Sequence, residues 1–215
     1  MSRPVDHIVW AHWDLDEAIA RLHALTGIEA KRGGVHPGRG TRNAIIALGP
    51  ACYLEILAPD PGQTLSGTVG ARLLDLDEPE IVGVMLASAD LEGAKAAYAA
   101  HGVDCTGPFE AERKTSDGDT LHWRLLLPID PPWGNLSPML IDWGQTPNPA
   151  TAAPGGCSLV GYEVGHPDGA GLKSLCTQID AEIEVVASDK PYSRATLDGP
   201  AGRTVLSGAR IDVTL

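Results

Sequence analysis

Residues 6–27 read DHIVWAHWDLDEAIARLHALTG, and this stretch decides the fold. The first six residues predict a short strand. The remainder predicts a helix, because apolar residues recur at the spacing of one helical face: Leu15, Ala18, Ile19, Leu22 and Leu25. Asp14 can cap the free N–H groups with Glu17 three residues on, and Gly27 suits the left-handed position after the last turn. A strand followed by a capped helix is the opening of a βα unit.

The same opening returns in residues 81–102, which read IVGVMLASADLEGAKAAYAAHG. Aligning Asp90 on Asp14 places Gly102 opposite Thr26, one residue short of the glycine that ends the first helix. The cap, the helix length and the stop signal therefore all repeat. An internal duplication explains this pattern.

Apolar stretches bounded by turn signals follow both helices and predict further strands. They are residues 41–48 and 51–57 in the first unit, and residues 120–127 and 137–143 in the second. Each unit therefore reads β-α-β-β-β, and the strand directly after each helix has the weakest signal.

The repeat divides the chain into segments. Residues 1–144 are predicted to form paired modules, 1–78 and 79–144. A linker rich in Pro and Gly follows at 145–156, and a third, weaker βαβββ-like unit at 157–215 is predicted to pack on the same domain. Whether this third unit closes a cup itself or supports the first two stays open.

Composition excludes several classes of protein. With 28 acidic and 16 basic residues the formal charge is −12, which would repel a nucleic-acid backbone. The four cysteines are scattered singly, so neither a zinc ribbon nor a disulfide framework is indicated. The N-terminal sequence lacks a signal-peptide pattern and there is no long apolar run. We therefore expect a cytoplasmic protein with no nucleic-acid partner and no membrane partner.

Four phrases occur in order at residues 6–10, 34–43, 53–60 and 138–144. Together they resemble the glyoxalase-like domain proteins of the vicinal oxygen chelate superfamily. The resemblance implies an α+β fold in which repeated βαβββ modules form a cup-shaped mixed sheet with helices on the outer face, usually around a divalent metal. Family members include isomerases, lyases, dioxygenases, epimerases and metal-free binding proteins, so the fold leaves the reaction open.

In the family pattern, a His on the first strand and a Glu on the last strand of a module bind the metal. His7 and Glu55 stand at these positions. Glu55 also lies between Leu54 and Ile56, and a carboxylate on such an apolar strand is costly to bury without a cation or a hydrogen-bonding partner. An imidazole with carboxylates suits Zn, Fe, Mn or Ni.

The second unit departs from this pattern. Aligning the helix caps places Gly83 opposite His7, so the second His of the family is missing. Asp142 falls in the last strand, where the matching carboxylate belongs, and His122 lies in the strand before it. The hypothetical metal site is therefore His7, Glu55, Asp142 and His122, while a surface or pocket-lining position is the alternative for His122.

A metal-free explanation of the same residues is open. Glu55 would then pair with Arg42 or Arg124, and His7 would hydrogen-bond a backbone carbonyl. Catalytic metals usually have three protein ligands, so two residues from the first unit do not define a metal site by themselves.

The segment from Lys31 to Arg42 is predicted to be a glycine-rich loop that carries four of the 16 basic residues. Arg39 and Arg42 are candidates to bind a carboxylate or phosphate of the substrate, with Asn43 beside them. Trp123 is a candidate wall of the same cup. An exposed turn that offsets the acidic surface is the alternative for the basic loop.

We therefore predict a glyoxalase-like protein that acts as a metal-dependent lyase, isomerase or dioxygenase on a small, polar, oxygen-rich metabolite. Glu55 or His36 would be the catalytic base, since an imidazole titrates near neutral pH. The rival is a metal-free protein that binds or sequesters a small molecule in the same cup. The oligomeric state is not fixed by the sequence, and a homodimer is one of the open alternatives.

Overall fold

The computed structural model describes residues 2–114, 118 and 120–209, so the end of the predicted third unit, 210–215, lies outside the described residues. The first module consists of β1 (Val5–Ala11), α1 (Leu15–Thr26), β2 (Lys31–His36), β3 (Thr41–Gly49) and β4 (Cys52–Pro59). The predicted caps of α1 are confirmed. The Asp14 side chain accepts hydrogen bonds from the N–H groups of Asp16 and Glu17, and Gly27 has a φ of 77°.

A short helix, α2 (Val69–Leu73), connects the modules. The second module then repeats the order of the first, with β5 (Glu80–Ala87), α3 (Leu91–Ala100), β6 (Cys105–Lys114), β7 (Thr120–Pro128) and β8 (Met139–Asp142).

Both modules join in one curled sheet of eight strands, in the order β2-β3-β4-β1-β5-β8-β7-β6. The first strands of the modules meet antiparallel at its centre. The alignment of helix caps maps His7 onto Gly83 and Val9 onto Met85, and the structure pairs His7 with Met85 and Val9 with Gly83. A two-fold axis between the duplicated modules requires this crossed pairing, in which each residue lies opposite the counterpart of the other one. The α+β cup predicted from the sequence is thus confirmed.

The third unit contains β9 (Ser158–His166), α4 (Gly169–Gln178), β10 (Glu184–Ala187), β11 (Tyr192–Gly199) and β12 (Gly202–Gly208). Its strands form a separate sheet in the order β10-β9-β11-β12, so its first strand lies beside its second and third. In the two modules of the cup, the first strand instead lies beside the fourth. The third unit therefore has the same order of elements but a different sheet topology.

The main hydrophobic core lies on the convex side of the cup. It joins Ile8 and Ile56 of the large sheet to Leu22 of α1 and to Leu172 and Leu197 of the third unit. Because α1 packs between the two sheets, the third unit covers the convex side and leaves the concave face of the cup free to form a cavity.

The segment predicted as a loop, residues 31–42, is mostly a hairpin. Strand β2 pairs with β3, with Lys31 opposite Ile45 and His36 opposite Thr41, and only residues 37–40 form the turn. The glycines and charges that suggested a loop are compatible with a strand here because β2 is an edge strand and is largely exposed.

All four cysteines are free thiols, as the sequence predicts. Within the described residues, no helix is both long enough and apolar enough to cross a membrane.

Helix α2 packs tightly against the turn that carries Arg39. The Gly70 N–H donates to the Arg39 carbonyl at 3.0 Å, and a Cβ added at Gly70 would lie 1.9 Å from the Gly40 carbonyl oxygen. We expect Gly70→Ala to lower the free energy of unfolding by about 1–3 kcal/mol, because the helix and the turn must separate. Urea denaturation measures this change.

The matched control is Gly155→Ala, since no atom lies within 4 Å of a Cβ built there. Its stability should stay within about 0.5 kcal/mol of the parent protein or rise slightly. Equal denaturation midpoints for Gly70→Ala and the parent would contradict the described contact.

Candidate functional site

The concave face of the cup encloses a cavity of about 330 Å³. Successive side chains of a strand point to opposite faces of the sheet. His7 of β1 and Glu55 of β4 therefore line the cavity, whereas their neighbours Ile8 and Leu54 enter the hydrophobic core.

Glu55 is the central acidic group of this cavity, and its residue is only 8% exposed. Asn43 Nδ2 donates a hydrogen bond of 2.7 Å to Glu55 Oε1, and Asn43 Oδ1 accepts one from the Gly34 N–H at 2.9 Å. His7 Nε2 lies 3.5 Å from Glu55 Oε2, and His36 Nε2 lies 3.7 Å from Oε1. Both distances exceed the usual hydrogen-bond length of about 2.7–3.2 Å, so the two imidazoles face the carboxylate without closing onto it.

The ring of His7 is fixed by a buried carboxylate. Asp6, 1% exposed, accepts a hydrogen bond of 2.7 Å from His7 Nδ1 through Oδ1. A carboxylate can only accept, so Nδ1 carries the hydrogen. Asp6 Oδ2 accepts from Trp143 Nε1 at 3.0 Å and from Asn148 Nδ2 at 2.8 Å, and the His7 ring stacks on Tyr53. The hydrogen bond to Asp6 therefore orients the ring so that Nε2 points toward Glu55.

His36 lies at the end of β2, and its Nδ1 is 2.9 Å from Thr41 Oγ1. Burial lowers the pKa of His36, against the opposing effect of Glu55. The imidazole is therefore mainly neutral near pH 7 and can accept a proton at Nε2. Burial by itself would raise the pKa of Glu55, but His36, His7, the hydrogen bond from Asn43 and Arg113 together lower it, so the carboxyl group is ionised.

Two of the four predicted metal ligands do not reach this cluster. The side chain of His122 is 65% exposed and lies 3.4 Å from Glu112, on the face of β7 opposite Trp123. Asp142 accepts a hydrogen bond from Arg124. The pairing of Glu55 with Arg124, the metal-free explanation, is not found either, because Arg124 is bound to Asp142.

Strand register explains the position of Asp142. In the first module Val9 is opposite Glu55, and in the second Met85 is opposite Met139. Because Val9 and Met85 correspond in the duplication, Met139 and not Asp142 stands at the position of Glu55. The second module has thus lost both family ligand positions, with glycine at one and methionine at the other.

The predicted substrate-binding residues do not all point to the same face of the sheet. Arg39, Asn43 and Trp123 line the cavity. Arg42 points to the other face of β3, where it acts electrostatically on Asp60. Asn43 uses its amide group to hold Glu55, so it positions the carboxylate in addition to lining the cavity.

The sequence analysis missed three features of the site. Asp6 is absent from the predicted site. Regular alternation places the neighbour of His7 on the other face, but the pairing of β1 with β5 shifts register between Val5 and His7. Arg113 was missed, although it alternates with the cavity residues Phe109 and Ala111 and so shares their face. The apolar character of the second module was also missed.

The donor chemistry of His7 Nε2 and Glu55 fits a divalent transition metal. A carboxylate that accepts a hydrogen bond from the other ring nitrogen, as Asp6 does from His7 Nδ1, commonly orients a metal-binding His. In the part of the chain that the structure describes, no three His, Cys, Asp or Glu residues are assembled as a metal cluster. The fit therefore depends on two protein donors, with the other coordination positions left to water or substrate oxygens.

Comparisons with known proteins agree with this architecture. Residues 5–179 match the family described as Glyoxalase-like domain. The chain therefore belongs to the glyoxalase-like domain family, as its motifs predict. No curated protein matches the sequence.

Several solved structures are similar to this chain. A hypothetical protein from Staphylococcus aureus is 19% identical, with a TM-score of 0.65 over 97% of this chain and 87% of that chain. A mutant of 4-hydroxymandelate synthase from Streptomyces coelicolor is 13% identical, with a TM-score of 0.56 over 96% of this chain and 63% of that chain. Methylmalonyl-CoA epimerase from Mycobacterium tuberculosis is 21% identical, with a TM-score of 0.45 over 65% and 87%. For the first two of these structures, the likeness shows a common fold and not a common reaction.

Removing the Asp6 carboxylate should destabilise the protein. Asp6→Ala leaves the donors of His7, Trp143 and Asn148 without their acceptor in a buried place, so we expect a loss of about 2–4 kcal/mol in the free energy of unfolding. Urea denaturation with the metal chelated provides the measurement.

Asp198→Ala is the control, because Asp198 accepts two hydrogen bonds from Arg203 at an exposed position. Exposed ion pairs contribute about 0–1 kcal/mol. A loss for Asp6→Ala no larger than that of the control would show that the Asp6 network does not hold the site together.

Proposed function

We propose that this protein is a metal-dependent enzyme of the lyase, isomerase or dioxygenase kind, working in the cytoplasm on a small oxygen-rich molecule bound inside the cup. His7 Nε2 and Glu55 would hold the metal. His36 would be the base that takes a proton from the substrate.

The observation that carries this proposal is the unfilled contact between His7 and Glu55. Their N···O distance of 3.5 Å is longer than a hydrogen bond, and Asp6 orients the His7 ring so that Nε2 faces the Glu55 carboxylate. A cation between these two atoms would be attracted by the carboxylate and could be bound by Nε2. Ligands that share one tetrahedral ion with bonds of about 2.1 Å lie about 3.4 Å apart, close to the observed separation.

A bound divalent metal would polarise paired oxygens of the substrate and stabilise the negative charge that develops on them. The chain itself fixes the positions of the two proposed metal ligands. Asn43 holds Glu55, and Asp6 holds His7, so neither ligand has to reorganise. His36 Nε2, kept neutral by burial, then accepts the proton from the carbon next to those oxygens.

One observation favours a second candidate function, a metal-free protein that binds or sequesters the same kind of molecule. The second module carries Gly83 and Met139 where a symmetrical site would have ligands, and the described residues contain no cluster of three metal-binding side chains. In this case Glu55 would accept a hydrogen bond from His7 Nε2 in place of a bond to a metal.

Metal analysis separates the two functions. After reconstitution with Zn, Fe, Mn or Ni and removal of free metal, the parent protein should retain one equivalent of at least one of these ions. His7→Ala and Glu55→Ala should lose it, since each removes one of two protein donors. His36→Ala should retain it, because its role is to move a proton.

Two control variants match the removal of the proposed metal ligands His7 and Glu55. His122→Ala and Asp142→Ala remove an imidazole and a carboxylate that lie away from the cavity, and both should bind metal like the parent protein. A parent protein that retains none of the four metals would favour the binding function. Loss of metal in His36→Ala would show that His36 is a ligand and not the base.

A further inference from the structure

The cavity has two chemically different sides. The polar side comes from the first module and contains the Glu55 cluster described above. The side that faces it comes from the second module. This side is apolar because Gly83 and Met139 stand where the first module has His7 and Glu55.

The second module contributes a nearly continuous apolar wall to the cavity. Six side chains make up this wall: Met85, Phe109, Trp123, Leu125, Ile141 and Trp143. The rings of Trp123 and Trp143 lie 5.4 Å apart between centroids. The charged lining residues of this module are Glu112 and Arg113, which follow the apolar stretch on β6, and Glu112 is paired with His122. A uniformly polar ligand would leave the wall without a partner.

Two guanidinium groups provide positive charge for a ligand. Arg39 lies at the mouth of the cavity on the turn between β2 and β3, and Arg113 lies on β6. Both act electrostatically on Glu55, and neither forms an ion pair within 4.0 Å with a described residue. Arg72 adds further positive charge beside Arg39. Unpaired arginines at a cavity favour an anion with two oxygens, because a guanidinium can donate to both of them.

We propose that the substrate is a carboxylic acid with a hydrophobic body, held with its carboxylate between Arg39 and Arg113 and its alkyl or aryl group on the apolar wall. This inference rests on the proposed function, because it assumes that the reaction occurs in this cavity. It changes the substrate class from a uniformly polar metabolite to an amphipathic acid. The cavity of about 330 Å³ is near the lower end of the range for ligand pockets, and this volume suits a small acid better than a large cofactor.

A homologous series of acids tests this assignment. Acetate, butyrate, hexanoate and 3-phenylpropionate are titrated into the protein, and binding is followed by tryptophan fluorescence, which reports on the wall, and by calorimetry. The affinity should rise by about four-fold for each methylene added until the wall is covered. Hexanoate should bind at least ten-fold more tightly than hexanamide, which has nearly the same shape and no charge.

Two variants assign the ends of the ligand. Arg39→Met should remove most of the preference for hexanoate over hexanamide, and Phe109→Ala should flatten the dependence on chain length. Arg203→Met, on the distant third unit, is the control for the loss of one charge and should bind like the parent protein. Affinities that do not change with chain length, or equal binding of hexanoate and hexanamide by the parent protein, would overturn the inference.

Each titration is run with the chelated protein and with the metal-loaded protein, so that the two proposals fail separately. A dependence on chain length and on charge in both forms supports the amphipathic acid even if no metal is retained. If the protein retains metal but its affinity does not depend on chain length, the metal site is supported and the hydrophobic acid is refuted.

Discussion

The carboxylate of Glu55 is the constraint on which the site depends. It lies on a buried strand whose other side chains are apolar, and such a charge is costly to bury without compensation. The protein supplies an amide from Asn43 and places two imidazoles at 3.5 and 3.7 Å. Among the residues that the structure describes, no arginine forms an ion pair or a hydrogen bond with this carboxylate. The charge of Glu55 is therefore only partly compensated, as expected of a carboxylate that binds a ligand and not of one that belongs to a structural ion pair.

Duplication followed by divergence explains the rest of the cup. The two modules keep the same order of elements and meet through equivalent strands, so the backbone is close to symmetrical. The side chains are not. The first module retains His7 and Glu55, while the second places Gly83 and Met139 at the corresponding positions and builds an apolar wall. One module thus supplies the polar groups of the cavity, and the other supplies its apolar wall.

The fold could be predicted from the sequence because its signals are local. Helix caps, apolar periodicity and turns lie within a few residues of each other, and the repeat of residues 6–27 at 81–102 gave the duplication. The central site residues His7 and Glu55 could be proposed because the motif fixes their strands. The sequence predicts a loop where the structure has edge strand β2, because an exposed strand does not need the apolar alternation that identifies a buried one.

The remaining site residues depend on strand register, which a single sequence does not give. Asp142 could be assigned to the correct strand but not to the correct position along it, because only the pairing of Met85 with Met139 reveals the offset. His122 and Trp123 are neighbours on one strand and could not both face the cavity, a conflict that alternation alone would have revealed. Asp6 required knowledge of the irregular pairing at the start of β1 and of the segment that carries Asn148 back to it.

The most direct test of the central claim is the location of a metal in a crystal of the protein grown with manganese or zinc, measured by anomalous scattering. The account predicts a single peak within about 2.0–2.3 Å of both His7 Nε2 and a carboxylate oxygen of Glu55. A map without a peak at this position, in which Glu55 instead accepts a hydrogen bond of less than about 3 Å from His7, would contradict it.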